Sequence, residues 1–424
     1  MKNYFYGLCL LIACSCAFVS CSDDDDTLAT ISATLKFDVP SEIAQYEPNV
    51  AVESLTLKET NTGLVTTVVA PATRSGNGTT ITVNVPEGLY TIDMDASVSY
   101  RMNGQMNYTK MRAHKESVEL TAMTMTTPVS VEGFIYNASS ENGGFVISEI
   151  FFTGTTTPEG KQYNGDKYIR LYNNSGDTLC ADGLTIAESE FLTVQKENYT
   201  PNIMNQAFSA GAIYRIPLGG NLMVAPGESV LLCDNGINHK EANSNSFDLT
   251  KADFEWYDKS SNPRFEDIDS KVPNMEKIYC YTATIWGPHN RGFKSFVLAR
   301  LGDNEKNQLS AEEYLEKYSY EYSYDMIIDG TVYPMGPKTS FKIPNEWILD
   351  AVNLSVESEY VWTLTSPALD KGWTSCGKVN GDMTRYGKSV RRKVLSGKTL
   401  QDTNDSSVDF LRDQPADPYF KFHE

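Results

Sequence analysis

The chain contains few of the residues on which common catalytic and metal sites depend. Only four of its 424 residues are histidines, and they lie far apart: His114, His239, His289 and His423. The motifs G-x-S-x-G, H-E-x-x-H, G-x-x-x-x-G-K-[ST] and G-x-G-x-x-G are missing. We therefore predict no histidine-based nucleophile, no metal and no cofactor. A carboxylate pair for hydrolysis stays open, because such a pair is defined by its separation in space.

Positive charge is also scarce. Lys and Arg number 36 against 55 Asp and Glu, which gives a formal net charge of −19. Nucleic-acid binding depends on clustered Lys and Arg that displace counterions, so no nucleic-acid partner is expected. The same deficit argues against a polybasic hold on anionic lipid. The acidic excess is typical of a protein that must stay soluble at a crowded cell surface.

The longest apolar run is too short for a membrane-spanning helix. It extends from Tyr4 to Val19, whereas a bilayer crossing needs about 20 apolar residues. Lys2 precedes the run and Ser20 follows it, a pattern typical of a secretory signal peptide. The sequence therefore predicts a signal peptide over residues 1–20.

The end of this peptide resembles the lipobox of bacterial lipoproteins, whose first mature residue is a lipidated cysteine. That resemblance implies lipidation of Cys21, although Leu11-Ile-Ala-Cys14 is a second match. The acidic run after Cys21 favours Cys21, and it is similar to the tag that exports Bacteroidetes lipoproteins to the cell exterior: Ser22, Asp23, Asp24, Asp25 and Asp26. We expect an outer-membrane protein that is anchored in lipid through Cys21 and faces the cell exterior, with residues 21–28 as the lipidated cysteine and an acidic tether.

Four cysteines remain in the body of the chain: Cys180, Cys233, Cys280 and Cys376. None forms a C-x-x-C spacing, so zinc or thioredoxin-type chemistry is not expected. An exported protein can form disulfides, and the three possible pairings stay open. Buried free thiols are the preferred interpretation, above all for Cys233 in an apolar strand.

Short strands with alternating apolar and polar residues follow the tether. The pattern predicts them at residues 31–39, 54–59, 63–70, 79–85, 89–98, 118–120 and 128–135. Strands of this length without helical periodicity indicate an immunoglobulin-like β-sandwich over residues 29–136. The stretch from Val85 to Ile92 also resembles the turn and strand of transthyretin-like modules.

A break rich in Ser, Asn and Gly at residues 137–144 separates a second strand-rich region, residues 145–424. We predict an all-β protein of two antiparallel β-sandwich domains, the second with long insertions and a few short helices. Ser310-Ala-Glu-Glu313 is a capping box that should begin one of these helices.

The second region resembles lamin-tail domains, which are immunoglobulin-like sandwiches. The matching pieces are Ile147–Ile150, Lys167–Asn174, Gly183, Pro226-Gly227, Trp347–Asp350, Ser389–Arg391, Asp402–Asp405 and Asp409-Phe410. As a whole, the chain resembles an uncharacterised family of Bacteroidetes surface lipoproteins. The resemblance implies a location and a fold but no reaction.

Aromatic residues in two insertions carry the strongest binding signal. Trp256 and Tyr257 lie in one insertion, and Tyr320, Tyr322 and Tyr324 alternate in another. Aromatic faces bind sugars, aromatic ligands and partner chains, although the same residues can equally pack a half-buried strand. We predict a ligand or partner site at these five residues, on the second domain and not on the first.

The preferred function is a non-catalytic, lipid-anchored surface protein that binds a nutrient or a partner. The partner would be an outer-membrane receptor of the TonB-dependent type. Two alternatives stay open. One is a surface hydrolase of glycans or peptides with a carboxylate pair in the insertions, and the other is an adhesin.

Overall fold

The computed structural model describes residues 29–68, 73–75, 78–123, 127–136, 143–303 and 305–422. The predicted signal peptide, Cys21 and the acidic run lie outside these residues, so their roles stay predictions. Strands account for 48% of the structure and helices for 6%, which confirms the all-β fold class. Separate hydrophobic cores define a first unit, residues 29–136, and a second unit, residues 143–422.

The strands of the first unit alternate between buried and accessible side chains. In chain order they are β1 (Thr30–Asp38), β2 (Asn49–Glu59), β3 (Val65–Thr67), β4 (Thr73–Ser75), β5 (Gly78–Pro86), β6 (Gly88–Met102), β7 (Gln105–Leu120) and β8 (Val129–Tyr136), with one helix, α1 (Ser41–Ala44). In β6, for example, every second side chain from Tyr90 to Val98 is buried. One face of each strand therefore packs on the core, and the other faces outward.

One continuous sheet, in the order β3-β2-β6-β7-β8-β1-β5-β4, folds over this core. Strand β8 joins its two halves, because Val129–Glu132 pairs in parallel with β1 and Gly133–Tyr136 pairs antiparallel with β7. A side chain at Gly133 would not fit, since a Cβ would lie 2.7 Å from the Asp38 carbonyl oxygen. The parallel pairing is one departure from the predicted antiparallel arrangement.

The second unit is built from more and shorter strands. They are β9 (Phe145–Phe151), β10 (Tyr168–Asn173), β11 (Leu179–Cys180), β12 (Leu184–Ser189), β13 (Ala207–Arg215), β14 (Met223–Val224), β15 (Ser229–Cys233), β16 (Phe254–Glu255), β17 (Glu276–Cys280), β18 (Ser295–Arg300), β19 (Ser319–Ile328), β20 (Thr331–Pro344), β21 (Ile348–Ser355), β22 (Thr374–Ser375), β23 (Lys388–Arg392), β24 (Val394–Ser396), β25 (Thr399–Leu400) and β26 (Phe410–Pro415).

Two sheets face each other across the main core of this unit. The smaller has the order β16-β15-β10-β9-β23-β26, and the larger has the order β19-β20-β13-β12-β18-β21-β22, with β17 beside β13. Their facing side chains include Ile169 and Val390 from the smaller sheet and Ile186 and Leu298 from the larger. This is a β-sandwich. Its likeness to lamin-tail domains stays a prediction.

Insertions cover the outer faces of both sheets. Leu249 and Val272 pack over the outer face of the smaller sheet, while Tyr314 and Trp347 pack over that of the larger. The short helices of this unit are α2 (Ala311–Lys317), α3 (Ser406–Asp409) and 3-10 turns at His239–Glu241, Asn345–Trp347 and Met383–Arg385. The predicted capping box at Ser310 is confirmed. In the described ranges, the helices are all too short or too polar to cross a membrane.

Candidate ligand-binding cleft between the two units

The two predicted aromatic groups lie in different surroundings. Trp256 is 1% exposed in the main core, where its ring centroid lies 5.4 Å from that of Trp286. Tyr257, the next residue, is half-buried. Trp256 thus packs the sandwich in the structure, and its predicted contact with a ligand would require the core to open.

The three alternating tyrosines lie together on β19. Tyr322 is buried and donates a hydrogen bond to Glu190 at 2.9 Å, whereas Tyr320 and Tyr324 are half-buried. The rings of Tyr322 and Tyr324 both pack against Tyr199, with centroids 5.9 and 5.2 Å away. The tyrosines therefore form one side of an aromatic cluster.

Trp362 connects this cluster to a cleft between the two units. Its ring stacks on Tyr199 with centroids 5.9 Å apart, and its indole N–H donates to the carbonyl oxygens of Leu192 and Gln195. Trp362 also lines a cleft of about 820 Å³, which we call the junction cleft. Its walls include Asp38, His114, Glu116 and Phe134 from the first unit and Lys196 and Asn205 from the second.

A row of four charged side chains runs along one wall of the junction cleft, and three of them, His114, Glu116 and Lys196, line it. His114 lies 2.6 Å from Asp93 through Nδ1 and 3.5 Å from Glu116 through Nε2. Lys196 completes the row from the second unit, with its Nζ 2.7 Å from Glu116. Negative and positive groups thus alternate, and the last ion pair joins the two units.

The pKa values of His114 and Glu116 favour the charged form of each group. Burial opposes charge on His114, but hydrogen bonds with Asp93 and Glu116 raise its pKa to about 9. Burial likewise opposes ionisation of Glu116, yet hydrogen bonds from His114 and Lys196 lower its pKa to about 2. Both groups are therefore charged near neutral pH.

Arg112 holds the units together beside the cleft. Its guanidinium donates to the carbonyl oxygens of Pro367 at 3.1 Å, Asn404 at 2.8 Å and Thr403 at 3.1 Å. It also pairs with Asp95 within the first unit. Further clefts of about 790 and 720 Å³ lie along the same junction. The contact between the units is polar and leaves space on several sides.

The cysteines and acidic groups show no metal-binding arrangement in the part of the chain that the structure describes. There, no group of three or more His, Cys, Asp or Glu side chains is placed to hold a metal ion. Cys233 and Cys376 are buried, Cys180 and Cys280 are half-buried, and all four are free. Burial raises the pKa of the Cys233 thiol well above its usual value, so this thiol is poorly nucleophilic.

Comparison with known proteins finds similarity to one family, over less than half of the chain. Residues 225–417 match the model of a family described as "Protein of unknown function (DUF4876)". A crystal structure of a DUF4876 family protein from Bacteroides thetaiotaomicron has a similar fold, with a TM-score of 0.53 and 20% sequence identity over 91% of this chain and 96% of that one. None of the curated proteins compared with the chain matches it.

The DUF4876 match lies within the second unit, and the structural likeness extends over both units. The carbonyl groups that Arg112 contacts belong to the matched stretch, whereas Lys196 precedes it. A fold shared at this level of identity assigns no activity. Function must therefore be argued from the cleft itself.

Sequence reasoning did not identify His114, Glu116, Lys196 or Trp362. Their spacing carries no motif, because packing of one unit against the other brings them together. One signal was available: His114, Lys115 and Glu116 are three consecutive charged or titratable residues within a strand. Such a run fits a solvated face as well as a polar interface, so it did not by itself indicate a site.

Proposed function

We propose that this protein is a lipid-anchored binding protein of the outer-membrane surface that captures an uncharged, hydroxyl-rich nutrient such as an oligosaccharide. The observation that carries the proposal is the junction cleft, with its row of alternating charges. Sites between domains are frequent places for ligands. A volume of about 820 Å³ is large enough for a ligand of several rings.

The pairing of charges in the cleft favours an uncharged ligand. Glu116 is paired with His114 and Lys196, and Glu132 accepts a hydrogen bond from Asn205 at 3.0 Å. A charged ligand would have to break these pairs or remain without a partner of its own. A hydroxyl group can donate to a carboxylate and accept from an ammonium group at the same time, so sugars fit this surface.

The polar junction also favours a change in shape on binding. Interfaces between domains that are small and polar permit relative motion, and Lys196–Glu116 is a partly exposed ion pair at the edge of the cleft. Closure of the units around a ligand would remove water from this pair and strengthen it. The first unit then contributes to binding in addition to acting as a spacer.

Calorimetric titration of the detergent-solubilised full-length protein tests the proposal. We expect neutral gluco-, xylo- and manno-oligosaccharides to include a saturable ligand. Glu116→Gln should weaken its binding about tenfold, because one charge-assisted hydrogen bond is lost. Glu159→Gln, an exposed residue of the second unit, is the control and should leave binding unchanged.

Two results would contradict this function. One is the failure of every neutral oligosaccharide to bind, and the other is tighter binding of charged oligogalacturonates than of any neutral sugar. The hydrolase and adhesin alternatives stay predictions. The low pKa of Glu116 makes it unsuitable as the general acid of a hydrolase. A gene for a TonB-dependent receptor beside the gene for this protein would support the predicted receptor partner.

A further inference from the structure

A β-hairpin projects from the second unit beyond the tyrosine cluster. Its strands, β19 and β20, pair from Ser319↔Phe341 to Ile328↔Thr331. The base of the hairpin is joined to the larger sheet, where Phe341–Pro344 pair with β13, and Ser323 forms a backbone bridge with Thr200. From Tyr324 to Ile328 the ribbon extends by about 13 Å, at about 3.3 Å per residue.

The turn of this hairpin is firmly specified. Asp329 and Gly330 both have positive φ, 48° and 76°, as a type I′ turn requires, and Asp-Gly is a preferred sequence for that turn. Residues 325–334, which we call the hairpin tip, thus have a fixed register. This register determines which side chains lie on each of the two faces of the hairpin tip.

Both faces of the hairpin tip are apolar. Met326 and Tyr333 are paired and share one face, whereas Ile327 and Val332 are paired and share the other. Ile327 is 66% exposed, Val332 53% and Tyr333 46%. An isolated two-stranded ribbon is only marginally stable in water, and exposing apolar groups on both of its faces raises the free energy of the free protein further.

We propose that the hairpin tip is a docking element that inserts into an apolar slot of a partner protein, with a cationic group at the bottom of the slot. Two apolar faces require cover from both sides, which a slot supplies and a flat surface does not. Asp329 stands at the leading end, and a cationic group of the partner would neutralise it. This role goes beyond ligand capture and does not depend on the junction cleft.

The charges at the tip favour a protein over a lipid bilayer. Asp325 and Asp329 flank the apolar residues, and Asp329 would enter first. A carboxylate in hydrocarbon is costly, whereas a basic side chain in a protein slot turns the same group into an attraction. A second copy of this strongly acidic chain is disfavoured by its net charge of −19.

Photo-crosslinking in the native cells tests this inference. Val332→p-benzoylphenylalanine in the full-length protein is expected to give one adduct on irradiation, with a single protein that peptide mass spectrometry identifies. That protein, once purified, should bind the unmodified chain. Ile327→Asp should weaken the binding at least tenfold, because a buried aliphatic group is replaced by a charge. Asp329→Asn, which keeps the turn, should weaken it about threefold.

The matched control is Leu395→Asp. Leu395 is an aliphatic residue of β24 that is 58% exposed, and its substitution should leave binding and the melting temperature unchanged. Oligosaccharide binding should also persist in Ile327→Asp, which separates this test from that of the cleft.

Four results would overturn the inference. They are the absence of an adduct, an adduct of twice the chain mass, equal partner binding by Ile327→Asp, and sedimentation of the Cys21→Ala protein with phosphatidylethanolamine–phosphatidylglycerol vesicles that depends on Ile327.

Discussion

The two units bury their strands in different ways. In the first unit β6 alternates between buried and accessible residues, so one face meets the core and the other meets water or the second unit. In the second unit β9, β10, β13 and β18 are buried at every position. The insertions that cover both outer faces produce this difference.

Covering an outer face changes what its polar residues must do. Glu149 of β9 is inaccessible to water, and it accepts hydrogen bonds from Tyr168 at 2.8 Å and Arg391 at 3.1 Å. Arg392 of β23 pairs with Asp350 at 2.7 Å and Asp402 at 3.1 Å. The second unit therefore depends on buried ion pairs where the first depends on water and apolar packing.

Arg392→Met should produce a large loss of stability that is confined to the second unit. Without the guanidinium, Asp350, Asp402 and Asp409 would lack their common cationic partner in a buried site. Removing one partner of a buried ion pair costs about 3–5 kcal/mol. Thermal unfolding should show an early transition for the second unit while that of the first unit stays in place.

Phe37→Ala supplies the matched control in the first unit. Phe37 is a fully buried core residue, and its truncation leaves a cavity that costs about 3–5 kcal/mol. Phe37→Ala should lower the unfolding temperature of the first unit and leave the transition of the second unit in place. A loss below about 1 kcal/mol for Arg392→Met would contradict the view that buried charge supports the second unit.

Arg112→Ala should have a smaller effect on stability, and it tests the contact between the units. The substitution leaves the carbonyl oxygens of Pro367, Thr403 and Asn404 without this donor. We expect a loss of about 2–3 kcal/mol and a larger radius of gyration in X-ray scattering. Arg101→Ala removes an exposed arginine at a hairpin of the same unit and should change neither. An unchanged radius in Arg112→Ala would show that other contacts fix the arrangement.

This difference in burial between the two units also explains which structural features could be predicted from the sequence. Alternation identified most strands of the first unit, including the buried Leu35 and Phe37, because one face is left uncovered. It missed β4 and most of β7, of which only residues 118–120 were predicted. Strand β10 was recognised from its aromatic and β-branched residues, but its complete burial was not. Leu249 and Tyr314, which cover the sheets, come from distant insertions and leave no periodic signal in the strands.

The candidate site was predictable only in part. β19 is confirmed as a strand, and its tyrosines gather on one aromatic cluster. The site prediction for Trp256, Tyr257 and the tyrosines stays a prediction, and the proposed cleft differs from it by including the first unit. His114 and Lys196 meet only because two units pack together, and no local pattern contains that information.

Two histidines should give the units opposite responses to pH. The pKa of His114 in the first unit is raised from 6.5 to about 9, so its stabilisation is complete below pH 6.5 and is lost as pH rises through 9. Burial lowers the pKa of His239 in the second unit below 6.5, so stabilisation there is present above pH 6.5 and is lost as pH falls. The contribution of His114 should be about 3 kcal/mol.

Denaturant unfolding between pH 5 and pH 10 measures both responses. The stability difference between the unmodified protein and His114→Ala should shrink towards pH 9, and the difference for His239→Ala should shrink towards acid pH. If the stability differences of both variants changed with pH along the same slope, the titrations of His114 and His239 would be coupled across the junction. Glu116, whose pKa is lowered from 4.5 to about 2, contributes stability that is fully present above pH 4.5 and is lost as pH falls towards 2, so its contribution stays constant between pH 5 and pH 10.

Cys21→Ala should have the smallest effect on stability, because the predicted tether precedes both units in the sequence. Each buried methylene of an acyl chain contributes about 0.8 kcal/mol to membrane binding, so loss of the lipid should release the protein from the membrane. We expect unfolding transitions of both units that match those of the unmodified protein, together with transfer from the membrane to the soluble fraction. Cys14→Ala is the matched control and should remain in the membrane. If the two variants exchanged these results, the anchor would be Cys14 and the acidic run would lie further along the tether.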